Sequence, residues 1–176
     1  VTSTTWIANA AYLEKASDGL ISYVKLKHVL QECTDNAIAE SFYLNAISET
    51  NVATHTEFHN WLKTSPPEGP HMRVQLYPNK QPIVSCPVCD HKIGQQVYTD
   101  IDVGIATLIV KLAAQWRYDR LVLSAGDGAF QAALEYIKDE LHKELWLAGF
   151  QGTISPDLQM YADHVIWLDQ FWERIT

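Results

Sequence analysis

The sequence predicts an α/β fold built as three layers, with a mostly parallel central sheet between helices. Short apolar runs of strand length alternate along the chain with stretches whose apolar residues recur every three or four positions. That alternation is the pattern of a sheet covered on both faces. Of the 176 residues, 47% are hydrophobic and 19% charged, enough to bury a core and unlike a disordered tail. No internal repeat, low-complexity tract or long linker interrupts the pattern, so one domain over residues 1–176 is expected.

Thr4 to Ala8 reads as a short buried strand. Leu20, Tyr23, Leu26, Leu30 and Cys33 then recur at helical spacing and predict a helix over roughly 19–33. Ala37 to Leu44 is a second strand. Thr54-His55-Thr56-Glu57 has the form of a capping box, and Phe58, Trp61 and Leu62 give the short helix after it an apolar face. Pro66-Pro67-Glu68-Gly69-Pro70 stops that helix. Met72 to Tyr77 is a third strand, followed by an irregular, cysteine-containing insert over about 78–99. Ile105, Leu108, Ile109, Leu112 and Trp116 mark a long helix, and Leu121 to Ser124 a buried strand. Phe130, Leu134, Ile137 and Leu141 mark another helix, and Glu144 to Ala148 another strand. Ser155 is a good N-cap with Pro156 at the first helical position, so a helix runs to about Ala162, before a last strand over Val165 to Leu168.

Charge and cysteine usage exclude several function classes. The net charge of −8 argues against coating DNA or anionic lipid through bulk charge, though not against local nucleic-acid binding through a metal. No apolar run approaches the ~20 residues of a membrane span. Three cysteines are too few for a disulfide scaffold and predict a reducing, cytoplasmic setting. No signal-peptide pattern is visible, and the start at Val1 reads as an initiator missing or processed.

In parallel α/β folds the ligand crevice lies beyond the carboxyl ends of the strands. That rule directs attention to the residues just after Ile7, just after Ser124 and at the start of the helix near Asp102. Asp127 follows the strand Leu121–Ser124 in a tight turn, Ser124-Ala125-Gly126-Asp127-Gly128, and Asp102 opens the next helix in Asp102-Val103-Gly104-Ile105-Ala106. Both carboxylates are expected to face one crevice. There they repel unless a cation joins them, and hard oxygen ligands suit Mg²⁺ or Mn²⁺. Such a metal activates water and clamps a phosphodiester. The same two aspartates also suit a plain helix cap and a plain turn.

Taken in order along the chain, these segments resemble the NYN domain family, the LabA-like branch of PIN-like nucleases. Trp6-Ile7-Ala8-Asn9 resembles its opening strand, Asp102-Val103-Gly104-Ile105-Ala106 and Gly126-Asp127-Gly128-Ala129-Phe130 its acidic motifs, and Ser155-Pro156-Asp157-Leu158 with Tyr161-Ala162-Asp163 its closing motif. The resemblance implies a PIN-like (Rossmannoid) fold and a metal-dependent endoribonuclease acting on RNA. It implies that Asp102 and Asp127 hold Mg²⁺ or Mn²⁺ and that Asn9 orients the water or a metal ligand. Homo-oligomers or an inhibitory protein partner are also compatible with it.

Two departures matter. The family has Asp where this chain has Ala8 and Ala129, both metal-binding positions. Its Lys-Gly before the Val-Asp of the Asp102 motif is replaced by Thr99-Asp100. Because Gly126, Asp127 and Phe130 stay in frame around the missing acids, the expectation is an inactivated variant of a nuclease. The alternatives are a natural pseudoenzyme that binds RNA or regulates, and a protein–protein adaptor.

Other candidates are less specific. Cys86-Pro87-Val88-Cys89 is half of a zinc knuckle, to which His91, or His71, would have to add ligands; a metal-free loop is the simpler reading. His55 and His59 stand four apart and read as a solvated helix face. Arg73, Lys80 and Lys92 flank the insert and are candidates for RNA phosphate contact. Trp6, Trp116, Trp146 and Trp167 are expected in the core, and Trp172 at a partner contact.

Overall fold

The computed structural model describes residues 2–48, 55–94 and 99–176. In chain order the elements are β1 (Thr4–Asn9), α1 (Ala10–Ala16), α2 (Tyr23–Thr34), β2 (Ile38–Ile47), α3 (Thr56–Leu62) and β3 (Arg73–Pro78). A small hairpin follows, β4 (Ile83–Ser85) and β5 (Lys92–Gly94), and then α4 (Ile101–Ala114) and β6 (Arg120–Ser124). The chain ends with α5 (Gln131–Glu135) running into a π-helical turn (Tyr136–Glu140), β7 (Glu144–Gly149), α6 (Pro156–Tyr161), β8 (His164–Trp167), a 3₁₀ turn (Leu168–Phe171) and α7 (Trp172–Ile175).

The six-stranded sheet has the order β3-β2-β1-β6-β7-β8, and each neighbouring pair is parallel. The predicted three-layer α/β architecture is therefore observed. Strand alternation builds the two cores. Ile7, Leu123 and Leu147 turn to one face and meet Ile105 and Ile109 of α4 and Leu134 of α5. Trp6, Val122 and Ala148 turn to the other and meet Leu13 of α1, Leu26 and Leu30 of α2, and Ile175 of α7. Burying each such Leu or Ile contributes roughly 1.5–3 kcal/mol.

Several expectations are corrected. The helix expected over 19–33 begins only at Tyr23, Leu20 lies outside it at 60% exposure, and a separate short helix, α1, precedes it. Asn9 caps α1 by accepting from Tyr12 N at 3.4 Å. The insert is not irregular: Ile83–Ser85 pairs antiparallel with Lys92–Gly94. Its residues 95–98 lie outside the described residues, as does Thr54 of the capping box, and the N-cap of α3 is His55. The helix after Phe130 is α-helical for five residues and then widens into the π turn. Trp116 is not core: it follows the C-cap of α4 at φ +57 and is 76% exposed, with the Lys143 ammonium 4.7 Å from its ring. Trp172 is 37% exposed and meets Phe150 edge-on at 6.0 Å.

Candidate active site

The strand order reverses direction between β1 and β6. From β1 the chain winds outward through β2 and β3, and from β6 it winds outward through β7 and β8. At such a switch point the connections leave the sheet in opposite directions and open a crevice beyond the carboxyl ends. The register places Ala8 against Tyr43 on one side and Ser124 on the other. Ala8 and the turn carrying Asp127 therefore share the carboxyl edge.

Asp102 lies half-buried in the first turn of α4, and Asp127 is exposed on the turn after β6. Burial, and secondly the Asp127 carboxylate, push the Asp102 carboxyl above its ordinary value. The two acids thus feel each other across the crevice. Ala129 is exposed just before α5. Ala8 is fully buried, its methyl in the layer with Trp6 and Tyr43 rather than in the layer of α4. A carboxylate there would reach Asp102 and Asp127 only over the edge of the sheet. Asn9 sits at the same edge, with its amide oxygen engaged by α1.

Tyr12, which sequence reasoning missed, braces the site. Its hydroxyl accepts from Phe150 N at 3.0 Å and shares a hydrogen bond of 2.6 Å with Thr153 Oγ1. Its ring passes over Gly126, where a Cβ would stand 2.7 Å from a ring carbon. On the buried side, Trp6 Nε1 donates to Ser124 Oγ at 3.0 Å and ties β1 to the last residue of β6.

The basic candidates separate. Lys80 is at the carboxyl edge and pairs with Asp100, the N-cap residue of α4. A lysine thus stands beside the position where the family pattern has one close in sequence. Arg73 begins β3 at the opposite end of the sheet, where it pairs with Glu40 at 3.3 Å. Lys92 is on the exposed hairpin strand β5.

Cys86 and Cys89 lie at the tip of that hairpin, both with free thiols. Hydrogen bonds from the backbone N–H groups of Val88 and Cys89 hold the Cys86 thiol below its ordinary value. His91 does not complete a ligand set: among the described residues no group of three or more His, Cys, Asp or Glu could hold a metal ion. His59 is also unlike its sequence reading. It is 8% exposed and packs 5.8 Å from the Tyr43 ring, where burial, with His55 and Lys63 nearby, lowers its pKa.

At the carboxyl end of β2, on the α1–α2 side of the sheet, a cavity of about 610 Å³ opens between α1, β2 and α3. Its walls come from Glu14, Tyr43 and His59, positions too far apart in sequence to signal a shared wall.

A family model described as NYN domain matches residues 7–169. Among solved structures, a protein of unknown function from Vibrio parahaemolyticus superposes with a TM-score of 0.64 at 20% identity, covering 96% of this chain and 94% of that one. A comparison with curated proteins finds no match.

Proposed function

This chain belongs to the NYN domain family, whose members are nuclease-like, and from that premise we propose that it is a metal-dependent endoribonuclease domain present in an inactive form. The observation that supports the reading is the pairing of Asp102 with Asp127 at the β1/β6 switch point. Burial and mutual repulsion there raise the Asp102 pKa, the electrostatic condition that a hard cation relieves.

The donor set fits Mg²⁺ or Mn²⁺: oxygen ligands only, from two carboxylates on rigid elements. Such an ion, when bound, supplies activation of water and charge neutralisation at phosphorus. The chain's own residues do the rest. Asp102 and Asp127 anchor the ion. Lys80, steered by Asp100, adds positive charge along the path of an RNA backbone. The Tyr12 brace fixes the turn that carries Asp127. Without carboxylates at Ala8 and Ala129, too few ligands remain to hold an ion and its water within the fraction of an ångström that catalysis requires.

The test is RNA cleavage by the double variant Ala8→Asp with Ala129→Asp. It is expected to cut RNA with Mg²⁺ or Mn²⁺ and to stop with EDTA, while the parent chain cuts negligibly. Each single variant should recover much less, because ligands of one centre are not additive. A folded double variant that leaves a broad panel of RNAs uncut overturns the nuclease reading.

A second reading, a non-catalytic RNA-binding module, is favoured by a specific observation. Ala8 packs fully buried into the α1–α2 layer, and Asn9 serves as a helix cap. The edge of β1 is thus satisfied as it stands. RNA binding by the parent chain together with an inert double variant is the result that selects this module.

A further inference from the structure

We propose that the hairpin β4–β5 carries a shared zinc site, in which Cys86 and Cys89 of two copies of this chain hold one Zn²⁺ and join the copies as a metal-dependent dimer. The proposal does not depend on the nuclease reading.

The hairpin has the build of a metal knuckle. Val84 faces Ile93 and Ser85 faces Lys92 in the antiparallel ladder, and a turn from Cys86 to His91 closes it. In that turn Cys86 N donates to His91 O at 2.8 Å, and Asp90 N donates to Cys86 O at 2.9 Å. Asp90 takes a left-handed backbone, φ +56, which reverses the chain just after the second cysteine. The turn brings the two thiols within hydrogen-bonding reach of each other and aims the N–H groups of Val88 and Cys89 at the Cys86 sulfur. Donors placed on a sulfur favour the thiolate, the form that binds a metal.

Two thiolates are half of a tetrahedral zinc site. Among the described residues no third His, Cys, Asp or Glu joins the pair, and residues 95–98, which complete the insert, contain none of these types. A two-fold axis through the ion supplies the missing pair from an identical hairpin, and it closes the assembly at two copies.

The surface of the hairpin is a separate observation. Ile83, Val84, Val88 and Ile93 are all exposed, Val88 to 93%. Single exposed apolar side chains are ordinary, but a group of them marks an interaction surface. A lone two-stranded hairpin is also marginally stable in water. Here no third strand pairs with β4 or β5, and all six of their residues are exposed. A second hairpin and a bound ion supply the missing cover and the missing cross-link.

Charge favours a copy of the same chain as the occupant. The net charge of −8 opposes self-association over most of the surface, yet residues 83–94 carry one acid, Asp90, and one base, Lys92. Lys92 stands beside the turn, opposite Ser85, where its ammonium offsets the negative charge of a four-thiolate zinc centre.

The experiment titrates the full chain, reduced and freed of metal, with Zn²⁺ and follows its mass by sedimentation. The mass should double from the 19.9 kDa of one chain, with the end point at one Zn²⁺ per two chains, and EDTA should reverse it. Co²⁺ in place of Zn²⁺ should give the strong visible absorption of a tetrahedral thiolate site. Cys89→Ser removes two of the four ligands at once through the symmetry. It should weaken zinc binding more than about a hundredfold, beyond the effect of losing a partner outside the ligand set, and leave a monomer. Cys33→Ser, on α2, should change neither reading. The readings on the parent chain decide the matter without any variant. One zinc per chain at unchanged mass, no zinc taken up at one equivalent, a dimer that persists in EDTA, or a dimer that only a thiol reductant dissolves each overturns the proposal.

Discussion

The turn that carries Asp127 depends on the absence of a side chain at Gly126, and Gly126→Ala measures how tightly. A Cβ there would stand 2.5 Å from the Thr153 carbonyl oxygen and 2.7 and 2.8 Å from two carbons of the Tyr12 ring. Favourable contacts of this kind lie near 3.5–4.0 Å, so the overlap is about 1 Å. It cannot be relieved by a rotamer change alone. One neighbour is backbone, Ser155 N donates to Gly126 O at 2.6 Å from the same loop, and the Tyr12 hydroxyl is held from both sides. Overpacking that forces backbone to move costs about 2–3 kcal/mol. In a chain of this length each kcal/mol moves Tm by roughly 2–4 °C, so the loss should be about 4–12 °C. Urea unfolding at constant m gives the free energy directly. Gly152→Ala is the control. It has φ +75 but, among the described residues, nothing within 4 Å of the added carbon, so only backbone strain of about 1 kcal/mol is felt. If Gly126→Ala costs no more than Gly152→Ala, the close-approach argument is wrong.

Three further outcomes are expected. Ser124→Ala should cost about 1–3 kcal/mol in urea unfolding, because the buried Trp6 N–H loses its acceptor; a change below about 0.5 kcal/mol would contradict this. The backbone hydrogen bond from Ser3 holds the Asp119 carboxyl below its ordinary value, so its contribution is present above about pH 3.9 and fades as pH falls through the folded-state value. Asp119→Asn should therefore flatten part of the acid limb of a urea-midpoint profile, and an unchanged limb would refute it. Finally, position 8 is fully buried, so a carboxylate placed there destabilises unless a cation pairs with it. The Ala8→Asp, Ala129→Asp protein should melt lower than its parent in EDTA and recover with Mn²⁺, whereas an Mn²⁺ response equal to that of the parent would count against the metal site.

What could be read from the sequence follows burial. The strands of the large sheet are legible because their apolar runs fill two cores, as Trp6 and Ile7 do on opposite faces of β1. The convergence of Asp102 and Asp127 is legible because a parallel sheet sends every strand end to one edge. Helix α1 is not: its seven residues follow β1 without a turn, and only Asn9 announces it. The hairpin β4–β5 is hidden because its six residues are all exposed and show no alternation to a buried face. The single-period helix expected from Phe130 to Leu141 conceals the switch to a π turn, which the spacing of Leu134 and Ile137 does not reveal. Trp116 misled because its residue type suggests burial, whereas a left-handed backbone at the helix end turns it outward. The cavity escaped notice because its key contact, Tyr43 to Glu14, joins residues 29 apart.

The central position of β1 has a consequence for how the chain is made. Its partner β6 is far along the sequence, as the Ser3–Asp119 hydrogen bond across 116 residues shows. Ribosomes add about 5–20 residues per second, so β1 waits roughly 6–23 s before β6 has been added. For that interval one edge of a strand containing Trp6 and Ile7 has only β2 for company, and its open hydrogen-bonding groups are a template for foreign strands. The nascent chain is therefore vulnerable where the finished protein is best protected. Slowed elongation between β2 and β6 should raise the aggregated fraction more than the same delay placed after β6.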